Sequence, residues 1–198
     1  IDAASRSGRS VEVWNPLGLQ PLDLSPIYES IRKTGRLLGV QEAGETQGLG
    51  DRIISLAGFR VRVGVVRRTE TFDSLVQPGR SVPASSVRFH GITDAMLVSA
   101  SPMDVVLPAF LRFAEGAALV GHEVWFDLEF LAREAERLGL PPLGVTHAVL
   151  DTRLLSAAVH GGTVEHTLDA AAERLGVVIE ARHSALGDAL ATAEVFAR

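Results

Sequence analysis

The order of apolar segments along this chain predicts a mixed α/β domain. Three strand-like segments follow one another between residues 37 and 76, and from residue 102 onward helix-like and strand-like segments alternate. Consecutive strands favour antiparallel pairing, whereas strands separated by helices favour parallel pairing. We therefore expect a single sheet with an antiparallel part and a short parallel part, flanked by helices.

Three segments predict the antiparallel part of the sheet. Leu37 to Val40 is the first strand, and the second runs from Arg52 to Val63, with apolar and basic residues alternating in its second half. Gly64 supplies a hairpin turn, and Val65 to Val76 forms the third strand. Pro83 to Gly91 is predicted to be a connecting loop, because it lacks a clear apolar period.

In the second half of the chain, apolar residues recur at the i, i+3, i+4 spacing of amphipathic helices. The predicted helices are a short one capped by Thr93, then Pro102 to Phe113, Asp127 to Leu138, Thr167 to Leu175 and Leu186 to Phe196. The predicted strands between them are Ala117 to Val120 and Val145 to Leu150. Asp151, which precedes Thr152, is expected to cap a further helix.

Residues 1–35 are expected to be an N-terminal extension or linker, and residues 36–198 a single domain. Prolines at positions 16, 21 and 26 interrupt the first part and leave room for at most a short helix. The chain starts at Ile1 without an initiator methionine or a signal-peptide pattern, so we expect a fragment of a longer polypeptide.

The composition excludes several classes of protein. No apolar stretch approaches the roughly 18 residues that a membrane span requires. The absence of cysteine rules out disulfides, thiolate nucleophiles and cysteine-ligated zinc, and it fits a cytoplasmic protein. The net charge of −5 is unlike that of proteins that coat duplex nucleic acid, which usually carry a basic surplus. An enzyme that grips a chain end through metal ions would not need that surplus.

Three separated motifs carry the chemistry of the chain, and each brings a carboxylate to the proposed site, namely Glu45, Asp127 and Asp188. The motifs are residues 45–49 (Glu-Thr-Gln-Gly-Leu), 121–127 (Gly-His-Glu-Val-Trp-Phe-Asp) and 183–188 (His-Ser-Ala-Leu-Gly-Asp). Clustered carboxylates suit hard divalent cations, and His183 has an ordinary pKa of about 6.5, suitable for a general base. Five residues separate His183 from Asp188, so we expect the histidine on a loop and the aspartate inside the following helix.

In order and spacing, these motifs resemble those of the DEDDh 3′–5′ exonucleases, such as polymerase III epsilon subunits and RNase T-like enzymes. The resemblance covers residues 37–198 and implies an RNase H-like fold, a mixed five-stranded sheet flanked by helices. It implies a 3′ end of single-stranded DNA or RNA as substrate, two Mg²⁺ or Mn²⁺ ions, and a polymerase or a larger polypeptide as partner. By position, Glu45, Asp127 and Asp188 would bind metal, His183 would be the general base, and Thr46, Leu49 and His90 would contact substrate.

The chain departs from the family pattern at Ala43, where relatives carry an aspartate two residues before Glu45. Residues two apart on a strand share a face, so the missing carboxylate would have pointed into the site. An introduced alanine, natural loss of activity, and rescue by Glu42 or Glu123 each account for this difference. The polar neighbour Gln41 argues against a single introduced change. We expect weaker metal binding, and partial compensation by Glu123.

The residues also leave other readings open. The alternative function is a degenerate exonuclease fold that binds a nucleic-acid end or a protein without cutting, and a third class is an interaction domain in a multidomain chain. His122 is predicted to be structural, and Phe126 is predicted to lie in the core below Trp125. The basic stripe of Arg60, Arg62, Arg67 and Arg68 is interpreted as an exposed sheet face, with a phosphate track as second choice.

Overall fold

The structure of this protein is a computed structural model that describes residues 37–44, 53–141 and 147–198, with the backbone alone for residues 37–44. The predicted extension of residues 1–35 and the residues Glu45, Thr46 and Leu49 lie outside the described parts. None of the helices in the described parts is long and apolar enough to cross a membrane.

The described strands form one mixed sheet in the order β4-β3-β2-β1-β5-β6. The strands are β1 (Leu37–Gly44), β2 (Ile53–Arg62), β3 (Val65–Gln77), β4 (Ser101–Pro102), β5 (Ala118–Gly121) and β6 (Val149–Asp151). β1, β2 and β3 are antiparallel, whereas β1 with β5 and β5 with β6 are parallel. All five predicted strands are present, but β6 is shorter than predicted, since residues 147–148 lie outside it. The two-residue β4 adds a short sixth strand parallel to the end of β3.

Seven helices surround this sheet in the described parts of the chain. They are α1 (Ala84–His90), α2 (Asp94–Leu97), α3 (Met103–Ala114), α4 (Val124–Arg137), α5 (Thr152–His160), α6 (Leu168–Leu175) and α7 (Ala185–Ala197). The four longer helices predicted from apolar spacing are all present, and Asp151 caps α5 as expected. α4 begins three residues earlier than predicted.

Two local predictions were wrong. The segment predicted as a loop before Gly91 contains α1, which begins after Pro83 and ends at Gly91 with φ of 73°. This helix has no buried residue, so no apolar stripe marks it in the sequence. At α2, Thr93 occupies the cap position but its side chain makes no capping bond. Instead, Asp94 accepts a hydrogen bond of 2.7 Å from the backbone N–H of Val82.

The core lies on both faces of the sheet, because β2 is buried on both sides. On one face, Leu56 and Ile53 pack with Phe110 of α3 and Leu131 of α4. On the other face, small side chains under α7 let the helix lie close to the sheet; they are Ala57, Ala185, Ala189 and Ala193. Consequently α4 and α7 reach β1 from opposite sides, and this arrangement positions the candidate site.

Candidate active site

The edge at which β5 ends and α4 begins is also the edge toward which β1 runs. The two strands are parallel, with Gly39 opposite Val120, so their carboxyl ends point the same way. β1 continues to Gly44, the residue before Glu45, and its pairing with β2 shifts between Ala43 and Gly44. The first strand is therefore twice as long as the four residues predicted, and its irregularity lies at Ala43.

Asp127 lies in the first turn of α4 with 3% of its surface exposed. The entry to this helix is tight. A Cβ on Gly121 would lie 2.6 Å from the Cβ of Val124, and Glu123 adopts a left-handed conformation with φ of 61°. The close turn that only glycine permits at position 121 thus sets the start of α4, the helix in whose first turn Asp127 is buried.

Asp151 ties two helix starts together. Its carboxylate accepts hydrogen bonds from the backbone N–H groups of Arg153 (2.8 Å) and Leu154 (3.3 Å) at the start of α5. It also accepts from the N–H groups of Glu123 (3.3 Å) and Val124 (3.0 Å) at the start of α4. The sequence indicated a cap for α5 alone, because only tertiary structure brings the second helix within reach. Asp151 therefore fixes the helix that carries Asp127.

Asp188 is the second buried carboxylate, with 6% exposed, in the first turn of α7. Its Oδ2 lies 2.7 Å from Nη1 of Arg182, and its Oδ1 accepts a bond of 3.4 Å from the backbone N–H of His183. Arg182 also binds Asp169 at 3.1 Å, and this hydrogen bond lowers the pKa of Asp169. Burial opposes the charge on Arg182, but its two carboxylate partners raise its pKa overall. The sequence did not single out Arg182.

His183 precedes α7 on a loop, as predicted, with its side chain exposed. Its φ is 66°, and Ala181 in the same loop has φ of 51°. A Cβ on Gly187 would lie 2.2 Å and 2.3 Å from the carbonyl oxygens of Glu180 and Ala181, so the loop packs directly on the backbone of α7. This contact holds the histidine backbone beside Asp188.

The buried carboxylates Asp127 and Asp188 therefore belong to two helices that pack on β1, the strand that leads to Glu45. Buried carboxylates require a positive partner, and oxygen donors suit Mg²⁺ or Mn²⁺. These residues fit a divalent cation. Within residues 53–141 and 147–198, no three side chains of His, Asp or Glu are grouped closely enough to hold one. The third predicted ligand, Glu45, falls outside the described residues, so the ligand set stays a prediction.

Glu123, the predicted compensating acid, forms an ion pair with Arg153. Its Oε1 lies 3.3 Å from Nε of that arginine, and its side chain is 64% exposed. Any role in binding metal would compete with this pair. His90, the predicted substrate contact, ends α1, and its Nδ1 accepts a bond of 3.0 Å from the N–H of Ile92. Both assignments stay predictions.

The interpretation of His122 as structural agrees with its surroundings. It is 9% exposed, and its Nδ1 lies 2.9 Å from Oγ1 of Thr152. The hydroxyl hydrogen of Thr152 goes to the carbonyl oxygen of Gly121, so Nδ1 of the histidine is the donor in this contact. Burial lowers the pKa of His122, and the charge of Asp151 offsets this only in part.

Phe126 does not lie in the core, contrary to prediction. It is 47% exposed and Trp125 is 61% exposed, because the buried stripe of α4 starts at Val124 and passes through Leu128. Phe126 packs on Phe130 with ring centroids 4.9 Å apart. The two aromatic side chains line a cavity of about 360 Å³ together with Glu123, Asp151, Arg153 and Leu154.

The basic stripe on β2 and β3 is engaged within the domain. Arg60 donates to the carbonyl oxygen of Phe113 and lies over its ring at 4.9 Å from the centroid. Arg62 pairs with Glu70 at 2.7 Å, and Arg68 pairs with Glu194 of α7. Arg67 and Arg68 are exposed, as the interpretation of an exposed sheet face predicts, whereas Arg60 and Arg62 are partly covered by these contacts. The engagement of three of the four arginines within the domain weakens the case for a phosphate track.

Comparison with known proteins shows which families and folds this chain is similar to. A family model described as exonuclease matches residues 42–196. A DNA polymerase III subunit epsilon-like protein of Rhodobacter capsulatus is 49% identical over 160 residues, which are 78% of this chain but 22% of that protein. The DNA polymerase III subunit epsilon of Aquifex aeolicus is 35% identical over 144 residues, covering 73% of this chain and 69% of the relative.

The nuclease domain of 3′hExo, a DEDDh family member bound to rAMP, has the same fold. Its TM-score is 0.72 at 16% identity, with 83% of this chain and 90% of that chain covered. The predicted RNase H-like architecture and the predicted family are both confirmed by these similarities.

Proposed function

The chain belongs to the exonuclease family, and on that premise we propose that it hydrolyses the 3′-terminal phosphodiester of single-stranded DNA or RNA. The observation that carries this proposal is the burial of Asp127 and Asp188 on helices that flank the strand leading to Glu45. Carboxylate oxygens are the donors that Mg²⁺ and Mn²⁺ prefer in proteins.

Asp127, Asp188 and Glu45 would hold Mg²⁺ or Mn²⁺. When bound, such ions activate water and neutralise charge on the attacking and leaving oxygens. His183 would accept the proton of the attacking water, since its exposed imidazole stands on the loop next to Asp188. The new bond joins the water oxygen to phosphorus, and the bond to the 3′ oxygen of the preceding nucleotide breaks. The products are a nucleoside 5′-monophosphate and a strand shortened by one nucleotide.

A second candidate function is binding without hydrolysis. Two points favour it: Ala43 stands where the family resemblance implies a carboxylate, and Arg182 already supplies a positive partner for Asp188 at 2.7 Å. A site with one carboxylate fewer and one guanidinium in place binds cations less strongly. Such a domain would still recognise a strand end or a protein.

A nuclease assay on a 5′-labelled single strand in Mn²⁺ separates these two functions. Asp188→Asn is the test variant, and Asp169→Asn is its matched control, because Asp169 binds the same arginine from an exposed position. We expect hydrolysis that requires Mn²⁺, falls at least about 100-fold in Asp188→Asn and persists in Asp169→Asn. Strand binding without hydrolysis, or equal rates for the wild type and Asp188→Asn, would support the binding module.

The names of the relatives support a proposal about which protein acts as the partner of this domain. The Aquifex aeolicus protein is a polymerase III subunit, and we propose that this domain likewise acts beside a polymerase. Since the chain spans about a fifth of the Rhodobacter capsulatus relative, the partner contacts of a full-length protein remain part of the proposal.

A further inference from the structure

The cavity at the starts of α4 and α5 has the features of a small ligand site. Its volume of about 360 Å³ lies at the lower end of the range for ligand pockets, roughly 300–1,000 Å³. One wall is aromatic, formed by Trp125 and Phe126, and both rings are about half exposed. Large exposed aromatic side chains beside a concavity are typical of recognition surfaces. A flat π face accepts any nucleobase, so such a wall suits a strand of any sequence.

Charged residues line the same cavity. Asp151 accepts four backbone N–H groups, so its negative charge is stabilised within the fold. Arg153 is 51% exposed and faces Glu123 through its Nε. A guanidinium has five N–H donors, and the remaining ones suit a phosphate oxygen. The cavity is thus lined by both aromatic rings and a cation, and these two features match the base and the phosphate of a nucleotide.

The position of Trp125 separates this cavity from the reacting phosphodiester. Trp125 and Asp127 are two residues apart on α4, so their side chains point about 200° apart around the helix axis. A helix with its side chains is about 10–12 Å across, so the two places are close enough for one strand to reach both. A nucleotide in the cavity and a nucleotide at Asp127 would therefore be two different nucleotides of one strand.

We propose that Trp125 and Arg153 form a second nucleotide subsite, in which Trp125 stacks on a base of the retained strand and Arg153 binds a phosphate of the same strand. This inference rests on the proposed function, since it assumes a single-stranded nucleic acid as the ligand. Glu123 acts against the ligand, because it competes for Arg153 and carries the same charge as the phosphate. The subsite would hold the strand between successive cuts.

Binding of a fluorescein-labelled oligothymidylate, measured by anisotropy in EDTA so that no hydrolysis occurs, tests the subsite. We expect Trp125→Ala to weaken binding about 5- to 100-fold and Trp125→Phe to weaken it much less, because phenylalanine still stacks. Arg153→Gln should lower affinity and reduce the slope of log affinity against log salt by about 0.7. Arg133→Gln, an equally exposed arginine paired with Glu129 on α4, is the matched control and should change neither.

Two further arms make the inference specific. Glu123→Gln should tighten binding of the oligonucleotide, because the change removes the negative charge that competes for Arg153. If Glu123 were a metal-binding acid, the same change would weaken the affinity for Mn²⁺. A series of strands with one abasic position each should show one position at which the wild type loses affinity and Trp125→Ala does not. An equal loss at every position, or wild-type binding by Trp125→Ala, would overturn the subsite.

The outcomes also distinguish this inference from the proposed function. Strand binding that depends on Trp125 without any Mn²⁺-dependent hydrolysis would leave the subsite standing and remove the nuclease activity. If the wild type hydrolyses the strand, and Trp125→Ala has the same affinity and the same product length distribution, the nuclease activity stands and the subsite is wrong. If no single strand binds at all, both are wrong.

Discussion

The ion pair between Arg182 and Asp188 can be used to test whether Asp188 is a metal ligand. In Arg182→Gln the buried carboxylate loses its cation, while the glutamine keeps most of the side-chain volume. Removing one partner of a fully buried pair costs about 3–5 kcal/mol, and exposed pairs are worth about 0–1 kcal/mol. Here the side chain of Asp188 is 8% exposed and that of Arg182 is 32% exposed, so we expect a loss of about 2 kcal/mol in the absence of metal.

The size of that loss should depend on Mn²⁺. A loss of about 2 kcal/mol lowers the Tm of a domain of this size by about 4–8 °C. If Asp188 binds the cation, Mn²⁺ replaces the missing positive charge, and the variant gains more stability from the ion than the wild type does. Thermal unfolding by circular dichroism, in EDTA and in a series of MnCl₂ concentrations, measures both quantities. We expect the difference in Tm to shrink as Mn²⁺ is added.

The control for this experiment is Arg133→Gln, which breaks an exposed i, i+4 pair with Glu129. That change should cost no more than about 0.5 kcal/mol, with or without Mn²⁺. If Mn²⁺ stabilises the wild type and Arg182→Gln equally, then Arg182 and the cation do not share Asp188. The assignment of that aspartate as a ligand would then be wrong.

Three more variants probe the loop and the buried histidine. Gly187→Ala should destabilise the domain by about 1–3 kcal/mol in urea unfolding and slow hydrolysis, because its Cβ collides with backbone oxygens; Gly162→Ala, in open space, should be neutral in both assays. His183→Gly and His183→Ala should both lose hydrolysis. The glycine variant should be the more stable of the two by about 0.5 kcal/mol, because the left-handed φ at this position disfavours a Cβ. Equal stabilities of the two variants would contradict this prediction. Burial lowers the pKa of His122, so below pH about 6.5 the unfolded state binds more protons than the folded state, and the domain loses stability as the pH is lowered. In urea unfolding, the wild type should therefore lose stability relative to His122→Asn between pH 7 and 5. A constant difference between the two proteins over this range would contradict this prediction.

The parts of the fold with a strong local signal could be predicted from the sequence. Gly64 marked the hairpin between β2 and β3, and the apolar spacing of α3 and α7 gave their limits to within one residue. The helix start after His183 followed from the spacing of one motif. In each case neighbouring residues carry the information, because a turn or an apolar stripe is set by local geometry.

Other features depend on contacts that local patterns do not contain. α1 buries no side chain, so its residues show no period. The exposure of Phe126 follows from where α4 starts, and that start depends on Asp151, which comes 27 residues after Val124. Arg182 pairs with Asp188 from a loop in which Ala181 has a left-handed backbone, and the residues on either side of Ala181 do not mark this conformation in the sequence.

The alanine at position 43 and the presence of Arg182 bear on the same charge balance. The family resemblance implies four carboxylates at the site, one of them at position 43, and the proposed ligand Asp188 already has a guanidinium 2.7 Å away. Each carboxylate removed weakens the attraction for a divalent cation. Arg182 competes with the cation for Asp188, and because it is part of the chain it is always present. The site is therefore shifted toward its metal-free state relative to a site with all four acids and no arginine. The same shift keeps Asp188 stabilised when metal is scarce, since a buried carboxylate with no cation would destabilise the start of α7. Fold stability and metal affinity thus oppose each other at Arg182, and for this reason Arg182→Gln should weaken the fold in EDTA and strengthen binding of Mn²⁺.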